Sequence, residues 1–431
     1  MTTSSLALPQ HRVLAARNAV FVVFALAGIT FSSFASRIAD SKAALGLSAG
    51  ELGLTLFAAS VGSVLTLPFA GRVADRIGAA RAVVVGVVVA SIGLTGIGVA
   101  VDVAKSRPLM ALFLFFLGIG VGLWDVAMNL EGAAVERLLG RTVMPHFHAA
   151  FSGGTVGAAL VGALMSWSGV TLVPHLLGAV VVTVLVAAWA LRAFLPRDVE
   201  VDTDAAQVVD DAAVVAPRSA WLEPRTLMIG LVVLAAASTE GIANDWIAVG
   251  FVEGHDLPNW AGVLAFAVFL SFMTLGRILG TRLLDRHGRV PVLRATFAMA
   301  ALGSVLVIFG NAPVAYVGAA IWGVGASLGF PVGISASADD PARAGARMSV
   351  VATIGYTAFI AGPPLLGFLG DRFTVLRSLA VVTVIVALAM LVIPATRELA
   401  GRPSGDAAGD SAADSAGEPA EESARSGHAA S

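Results

Sequence analysis

Long runs of apolar residues, separated by short polar segments, recur along most of this 431-residue chain. A helix needs about 20 apolar residues to cross the hydrocarbon core of a bilayer. Because backbone polar groups must be satisfied inside lipid, continuous runs of this length predict helices. The pattern predicts twelve spans, at residues 18–36, 49–70, 82–101, 109–130, 147–168, 172–194, 226–250, 259–281, 292–310, 313–335, 348–369 and 376–394.

Two polar segments divide and end this pattern. Residues 195–224 turn polar and acidic, and the last residues are Ala, Gly, Ser, Asp and Glu with almost no large apolar side chain. A segment of that composition cannot bury enough apolar surface to fold. The predicted organisation is a cytoplasmic N-terminus (1–17), a six-helix bundle (18–194), a cytoplasmic linker (195–224), a second six-helix bundle (225–395) and a disordered cytoplasmic tail (396–431).

Composition narrows the class of protein. Hydrophobic residues make up 57% of the chain and charged residues 13%, about half the charged share of a soluble domain, which excludes a soluble globular protein. The net charge of -2 and the dispersed arginines give no basic face, so no nucleic-acid partner is expected. With no cysteine, no phosphate loop, no nucleophile elbow and no zinc-ligand set, neither an enzyme nor a metal or cofactor is expected.

The placement of basic residues predicts the orientation in the membrane. If the spans alternate, most of the 27 Lys and Arg residues lie on the side of the N-terminus. The opposite side holds six of them: Arg37, Lys42, Lys105, Arg107, Arg372 and Arg377. Because basic loops stay cytoplasmic, we predict that both termini lie inside the cell. We also expect a monomeric multi-pass protein embedded in the lipid bilayer of the bacterial inner membrane.

The second half of the chain repeats the first. An offset of 205 residues takes Gly118 and Gly120 to Gly323 and Gly325, and the same offset takes Gly157 and Gly162 to Gly362 and Gly367. One shared spacing across two spans indicates two parallel six-helix repeats.

A polar motif follows the second span and recurs after the eighth. The first copy is Gly71-x-x-x-Asp75-Arg76-x-Gly78, and the second is Asp285-Arg286-x-Gly288-Arg289. Thr281 stands where the second copy would have its leading glycine, and Ala79 and Ala80 replace a basic pair. With twelve spans, the doubled motif resembles the Major Facilitator Superfamily of secondary transporters. This resemblance implies that the motif forms a cytoplasmic gate in which the two aspartates act as latch residues. Its predicted members are Gly71, Asp75, Arg76, Gly78, Asp285, Arg286, Gly288 and Arg289.

Other motifs are similar to a bacterial branch of that superfamily typified by YbjJ-type inner-membrane proteins, and loosely to fucose:proton symporters. They are Arg37-Ile-x-x-x-Lys42, Trp124-Asp125-Val-Ala-Met-Asn129, His148-x-x-Phe-Ser152 and Glu240-Gly-x-x-x-Asp245-Trp246. Fucose symporters place acids in spans 1 and 4. This chain has Asp125 in span 4 but only Thr30 and serines in span 1.

Ionisable residues inside spans are functional candidates by default. Helical spacing places Gly118, Gly122, Asp125 and Asn129 on one face, which we predict to line a cavity. Glu240 and Asp245 are five residues apart in span 7 and therefore lie about 140° apart. One of them can face the cavity while the other pairs with a neighbour, for which Arg37 is a candidate. Structural pairing between helices is the alternative for all three acids.

Further polar and aromatic residues are candidates for the substrate or proton site. His148 begins a polar stripe that continues through Ser152 and Thr155, whereas Trp322 and Tyr356 either stack on a ligand or fill the core. Ser48-x-x-Glu51 fits a capping box at a helix start. The predicted substrate or proton site comprises Arg37, Trp124, Asp125, Asn129, His148, Glu240, Asn244, Asp245, Trp246, Trp322 and Tyr356.

The sequence favours a secondary transporter that moves a small polar, sugar-like solute by alternating access and is coupled to protons. An efflux antiporter for small amphipathic compounds would use the same acids, and a membrane sensor without transport is the alternative of another class. The sequence leaves the substrate and the direction of transport open.

Overall fold

The structure, a computed structural model, describes residues 9–196, 219–340 and 343–398. Regular structure in these segments is helical. Most of the predicted linker (195–224) and nearly all of the predicted tail (396–431) lie outside the described residues.

The N-terminal half contains seven α-helices among the described residues. Six correspond to the first six predicted spans, and the short α2 follows α1 directly. They are α1 (Gln10–Ala35), α2 (Ile38–Leu45), α3 (Ala49–Ile77), α4 (Ala79–Asp102), α5 (Arg107–Leu139), α6 (Met144–Trp167) and α7 (Leu172–Ala190).

The C-terminal half repeats this order with two interruptions. The tenth predicted span is broken into two helices, and the twelfth begins with a single turn. The helices are α8 (Pro224–Gly254), α9 (Asn259–His287), α10 (Arg289–Phe309), α11 (Ala312–Ala326), α12 (Gly329–Ser337), α13 (Ala344–Arg372), α14 (Val375–Ser378) and α15 (Ala380–Ala389).

The described residues include 11 helical segments long and apolar enough to cross a membrane, and a shorter apolar segment, Val375–Ala389, lies at the twelfth predicted position. The predicted all-α membrane fold is confirmed. Several helices extend beyond their apolar runs: α1 begins at Gln10 rather than residue 18, and α5 continues to Leu139. Apolar length marks the part of a helix that lies in hydrocarbon, whereas the helix itself continues into the polar interface.

Helix ends gather on two sides of the molecule. α1 begins on the side that holds most of the arginines, here called the arginine-rich side, and ends on the arginine-poor side. Ser48 caps α3 on the arginine-poor side: its hydroxyl accepts a hydrogen bond from the Glu51 amide at 3.2 Å, and the Glu51 carboxylate accepts one from the Ser48 amide at 3.1 Å. The predicted capping box is thus confirmed, and it fixes where α3 begins.

Two of the four repeated glycine pairs make equivalent contacts in the two halves. A Cβ at Gly118 would overlap the backbone of α3, and a Cβ at Gly323 would overlap the backbone of α9. Gly120 and Gly325 meet the backbones of α4 and α10 in the same way. For these two pairs, the offset of 205 residues reflects close helix packing, for which only a hydrogen atom leaves room.

Glycine also forms the turn in each copy of the polar motif. Gly78 joins α3 to α4 with φ 87° and ψ 149°, and Gly288 joins α9 to α10 with φ 76° and ψ 171°. Side-chain-bearing residues rarely adopt this region. The last glycine of the motif is thus needed for a one-residue link between spans.

The two halves contact each other along two helix pairs. α3 packs against α13, and α6 packs against α9, while α2 touches α8 and α9. The space between the halves is therefore bordered by helices that carry most of the predicted site.

An ion-pair network ties helix ends together on the arginine-rich side of the C-terminal half. Glu223, just before α8, pairs with Arg343 and with Arg347, the latter at 2.7 Å. Burial alone would raise the pKa of Glu223, but hydrogen bonds from Arg347 and Thr226 and the charges of both arginines lower it overall. The network holds the starts of α8 and α13 together.

We expect Glu223→Gln to lower the midpoint of thermal unfolding by a few degrees at neutral pH. A lowered pKa contributes stability above the unfolded-state value, and this contribution is lost as the pH falls through the folded-state value. The difference between variant and wild type should therefore shrink in acid, below the usual carboxyl range. A difference that is constant across this pH range would contradict the assignment.

Candidate functional site

Asp125 lies near the middle of α5 and is exposed although the helix is long and apolar. Asn129, one turn further, donates hydrogen bonds to the Asp125 backbone oxygen at 2.8 Å and to its carboxylate at 3.3 Å. The carboxylate lies within electrostatic range of the Tyr356 phenol on α13, in the other half. Asp125 therefore faces the space between the halves.

The glycines on the same face of α5 have a different environment. Gly118 and Gly122 are buried against Ala59 and Ser63 of α3. The prediction that the whole face lines a cavity is wrong for its glycine part, because a surface without side chains allows α3 to pack closely. Asp125 and Asn129 lie further along α5, beyond the part of this face that packs against α3.

Glu240 forms an ion pair that the sequence analysis missed. Its carboxylate accepts a hydrogen bond from Arg277 of α9 at 2.9 Å, and the side chains keep 21% and 32% exposure. Arg277 also donates from Nε to the Ser327 carbonyl at 3.4 Å. Ser327 lies in the break between α11 and α12, where a carbonyl lacks the usual helical partner.

Arg277 lies within a span rather than in a loop. It belongs to the predicted span 259–281 and lies inside α9, ten residues before that helix ends at His287. An arginine this far inside an apolar helix is itself a signal for a buried acidic partner.

Arg37 was a candidate partner for an acid of α8, and this prediction is wrong. Its guanidinium pairs with Asp40 at 2.7 Å and donates to the Val170 carbonyl at 2.7 Å. Arg37 is only 2% exposed, at the arginine-poor end of α1. Asp40 lies one helical turn away and therefore reaches Arg37 more easily than α8 does.

Three tryptophans of the predicted site lie in the core instead. Trp124, Trp246 and Trp322 are each at most 1% exposed. Trp124 packs on Gly86 of α4, and Trp322 packs edge-on against Phe269 at 5.7 Å between ring centroids. Trp124 directly precedes Asp125, and Trp246 directly follows Asp245. Successive side chains on a helix point in directions about 100° apart. The indole therefore points away from the cavity when the neighbouring acid faces it.

Tyr356 and His148 are exposed, as expected for residues of a cavity wall. The Tyr356 ring lies 6.4 Å from the rings of Phe330 and of Phe359. The His148 ring on α6 contacts Phe24 edge-on at 5.1 Å and is within electrostatic range of Arg277 across the interface of α6 and α9.

Further along the His148 stripe, Ser152 and Thr155 are buried and bond to their own helix. This part of the stripe packs in the protein rather than facing the cavity.

Asp245 and Asn244 lie one to two turns beyond Glu240 on α8. Both are partly exposed. Among the described residues, Asp245 has no hydrogen-bond or ion-pair partner, and the Asn244 side-chain oxygen is buried without one. Their direct roles stay predictions.

Polar contacts join the two halves at the arginine-poor side. Lys42 pairs with Glu253, Asn259 donates to Asp40 at 2.7 Å, and Ser48 donates to Asp371 at 3.0 Å. Further along α3, Ser60 donates a hydrogen bond to the Phe359 carbonyl of α13 at 2.7 Å. A small cavity of about 310 Å³ lies beside the Lys42 pair. The halves are therefore closed against each other on this side.

The predicted gate residues lie on the opposite, arginine-rich side. Asp75, Arg76, Asp285 and Arg286 are exposed there, and no described atom outside its own helix segment lies within 4 Å of a Cβ placed on Gly71. Arg289 instead bonds to Asp339 at 2.7 Å and to Ser335 at 3.2 Å, within the C-terminal half. A latch formed by the two aspartates stays a prediction.

These features define a class of protein: a helical membrane protein whose two repeated halves enclose polar side chains and are closed together on one side. The sequence profile described as Major Facilitator Superfamily matches residues 19–272 and 259–422. The chain belongs to this superfamily of transporters, which confirms the resemblance inferred from its motifs.

Relatives and fold neighbours agree with this assignment. The chain is 31% identical over 390 residues to an uncharacterised MFS-type transporter of Yersinia pestis, a match that covers 88% of this chain and 94% of the relative. A bacterial homologue of the human lysosomal transporter Spinster, solved in an inward-facing, unoccupied conformation, has a TM-score of 0.70 at 14% identity and covers 90% and 98% of the two chains. A D-xylose–proton symporter has a TM-score of 0.66 at 15% identity and covers 90% and 99%.

Proposed function

We propose that this chain is a secondary transporter that moves a small polar solute across the bacterial inner membrane by alternating access, coupled to protons. The observation that carries the proposal is the exposed Asp125 carboxylate in the middle of α5, opposite Tyr356 of the other half. An ionisable group within a span marks a transport or proton path.

The distribution of contacts supports an inward-open state. The arginine-poor side is joined by contacts between the halves, such as the pair of Lys42 and Glu253. Gly71, on the arginine-rich side, has open space around it. If the arginine-rich side is cytoplasmic, water and solute reach Asp125 from inside the cell. Rocking of the halves would then open the other side.

Of Asp125 and Glu240, Asp125 is the better suited to carry the proton. Glu240 holds an ion pair with Arg277, so protonating it would leave a cation without a partner. Asp125 has only a neutral amide donor, Asn129, among the described residues. It can therefore gain or lose a proton without breaking an ion pair. A fold neighbour described as a D-xylose–proton symporter fits such coupling.

We expect Asp125→Asn to abolish accumulation driven by a proton gradient. Asparagine keeps the shape of the side chain but cannot take up a proton, so the step that couples proton movement to solute movement is lost. The measurement is uptake of a panel of polar solutes into proteoliposomes, with and without an imposed pH gradient. The initial direction of flux also distinguishes uptake from efflux.

Asp256→Asn is the matched control. Asp256 is an exposed loop residue with φ 55°, and asparagine tolerates that backbone conformation. It should accumulate solute like wild type. Full gradient-driven accumulation by Asp125→Asn would refute the coupling role, and ligand binding without any flux would favour a sensor.

A further inference from the structure

The charges that face the space between the halves do not balance. Arg277 compensates Glu240, whereas Asp125 accepts its side-chain hydrogen bond from the neutral amide of Asn129. Within the described part of the chain, no Lys or Arg forms an ion pair with Asp125. The wall of the cavity therefore carries an excess negative charge at the middle of α5.

The surface opposite Asp125 is aromatic rather than basic. Tyr356 exposes 39% of its surface and stands between Phe330 and Phe359, each 6.4 Å away between ring centroids. Ring faces attract cations, and this attraction is larger where water is partly excluded. A carboxylate on one half and an exposed ring on the other are the two elements that bind an organic ammonium group.

The remaining polar groups suit hydroxyl groups. Glu240 can accept hydrogen bonds, and Arg277 uses Nη2 and Nε for Glu240 and the Ser327 carbonyl, which leaves Nη1 to donate. Because these two charges cancel, the pair adds hydrogen-bonding capacity without adding net charge. A solute with hydroxyl groups can use both.

We propose that the transported solute is a hydroxylated organic ammonium cation, held by Asp125 and faced by Tyr356. This proposal rests on the proposed function and names the class of its solute. An anionic solute would be repelled by the ionised carboxylate, and a neutral one would gain nothing from its charge. Because one carboxylate cannot hold a proton and an ammonium group at once, the two ligands compete for Asp125.

Matched probes test the charge of the solute separately from its shape. N-methylglucamine, sorbitol and gluconate share a six-carbon polyol chain and are cationic, neutral and anionic at mildly alkaline pH. Choline and 3,3-dimethylbutan-1-ol differ by replacement of the cationic nitrogen with carbon. The measurement is the thermal unfolding midpoint of the purified full chain with each probe at millimolar concentration.

We expect at least one of the two cations to raise the midpoint by about 2 °C or more, since a ligand that binds only the folded state stabilises it. Sorbitol, gluconate and dimethylbutanol should give no shift. Asp125→Asn should remove the shift, and Asp256→Asn should keep it. If Asp125→Asn does not fold, Tyr356 serves instead: Tyr356→Phe should keep most of the shift and Tyr356→Leu should lose it.

An equal or larger shift with sorbitol or gluconate would overturn the proposal. So would the absence of a shift with both cations, or a shift that Asp125→Asn or Tyr356→Leu retains. Failure of the proposed function looks different: the cations bind through Asp125, but proteoliposomes show no saturable counterflow. Gradient-driven transport of neutral polyols alone would support the proposed transport function and contradict the proposal that the solute is a cation.

Discussion

Gly154→Ala should destabilise the protein severely, whereas the same change at the neighbouring Gly153 should not. A Cβ at Gly154 on α6 would overlap the Ala25 carbonyl oxygen of α1, and the reciprocal position, Gly28, meets the backbone of α6 in the same way. Neither backbone can move without separating the two helices. We expect a loss of about 3 kcal/mol in unfolding free energy, measured as a lower thermal midpoint and a smaller monodisperse fraction after extraction in detergent.

Gly153 supplies the control within the same helix. No described atom outside its own helix segment lies within 4 Å of a Cβ placed there. Alanine is a better helix former than glycine by up to about 1 kcal/mol, so Gly153→Ala should be neutral or slightly stabilising. Equal effects of the two substitutions would show that α1 and α6 are not as close as the structure places them.

The contrast between these two glycines shows what the sequence could predict about the fold. Apolar runs predicted the spans because lipid leaves a helix no other way to satisfy its backbone. The offset from Gly118 to Gly323 predicted the repeat. No pattern separates Gly153 from Gly154, however, because contact with α1 depends on how helices distant in sequence pack.

The candidate site was predicted only in part, because contacts between helices that are distant in sequence leave no pattern within one helix. Asp125 and Glu240 stood out because charges are rare inside spans. The partner of Glu240 was missed, since the contact with Arg277 links α8 to α9 and no spacing along one helix predicts it. Trp124 was placed in the site because it is adjacent to Asp125 in sequence, although adjacent helical residues point in directions about 100° apart.

Removing Arg277 should be costlier than removing both members of its pair. Arg277→Gln leaves the Glu240 carboxylate without its cation in a partly buried setting, and we expect a loss of about 3 kcal/mol in unfolding free energy. Glu240→Gln leaves the opposite charge unpaired, with a similar loss. In the double variant both groups are neutral, so much of the stability should return.

A double-mutant cycle on thermal stability measures this coupling, which we expect to be about 1–3 kcal/mol. Arg294→Gln is the control, because Arg294 is exposed on α10 and its loss should change the midpoint little. If the two single losses simply add in the double variant, the pair does not act as a unit. A transport assay on the double variant separates two roles of the pair. A double variant that folds well but no longer moves solute shows that Glu240 and Arg277 contact the solute. Restored transport shows that they serve only to hold α8 and α9 together.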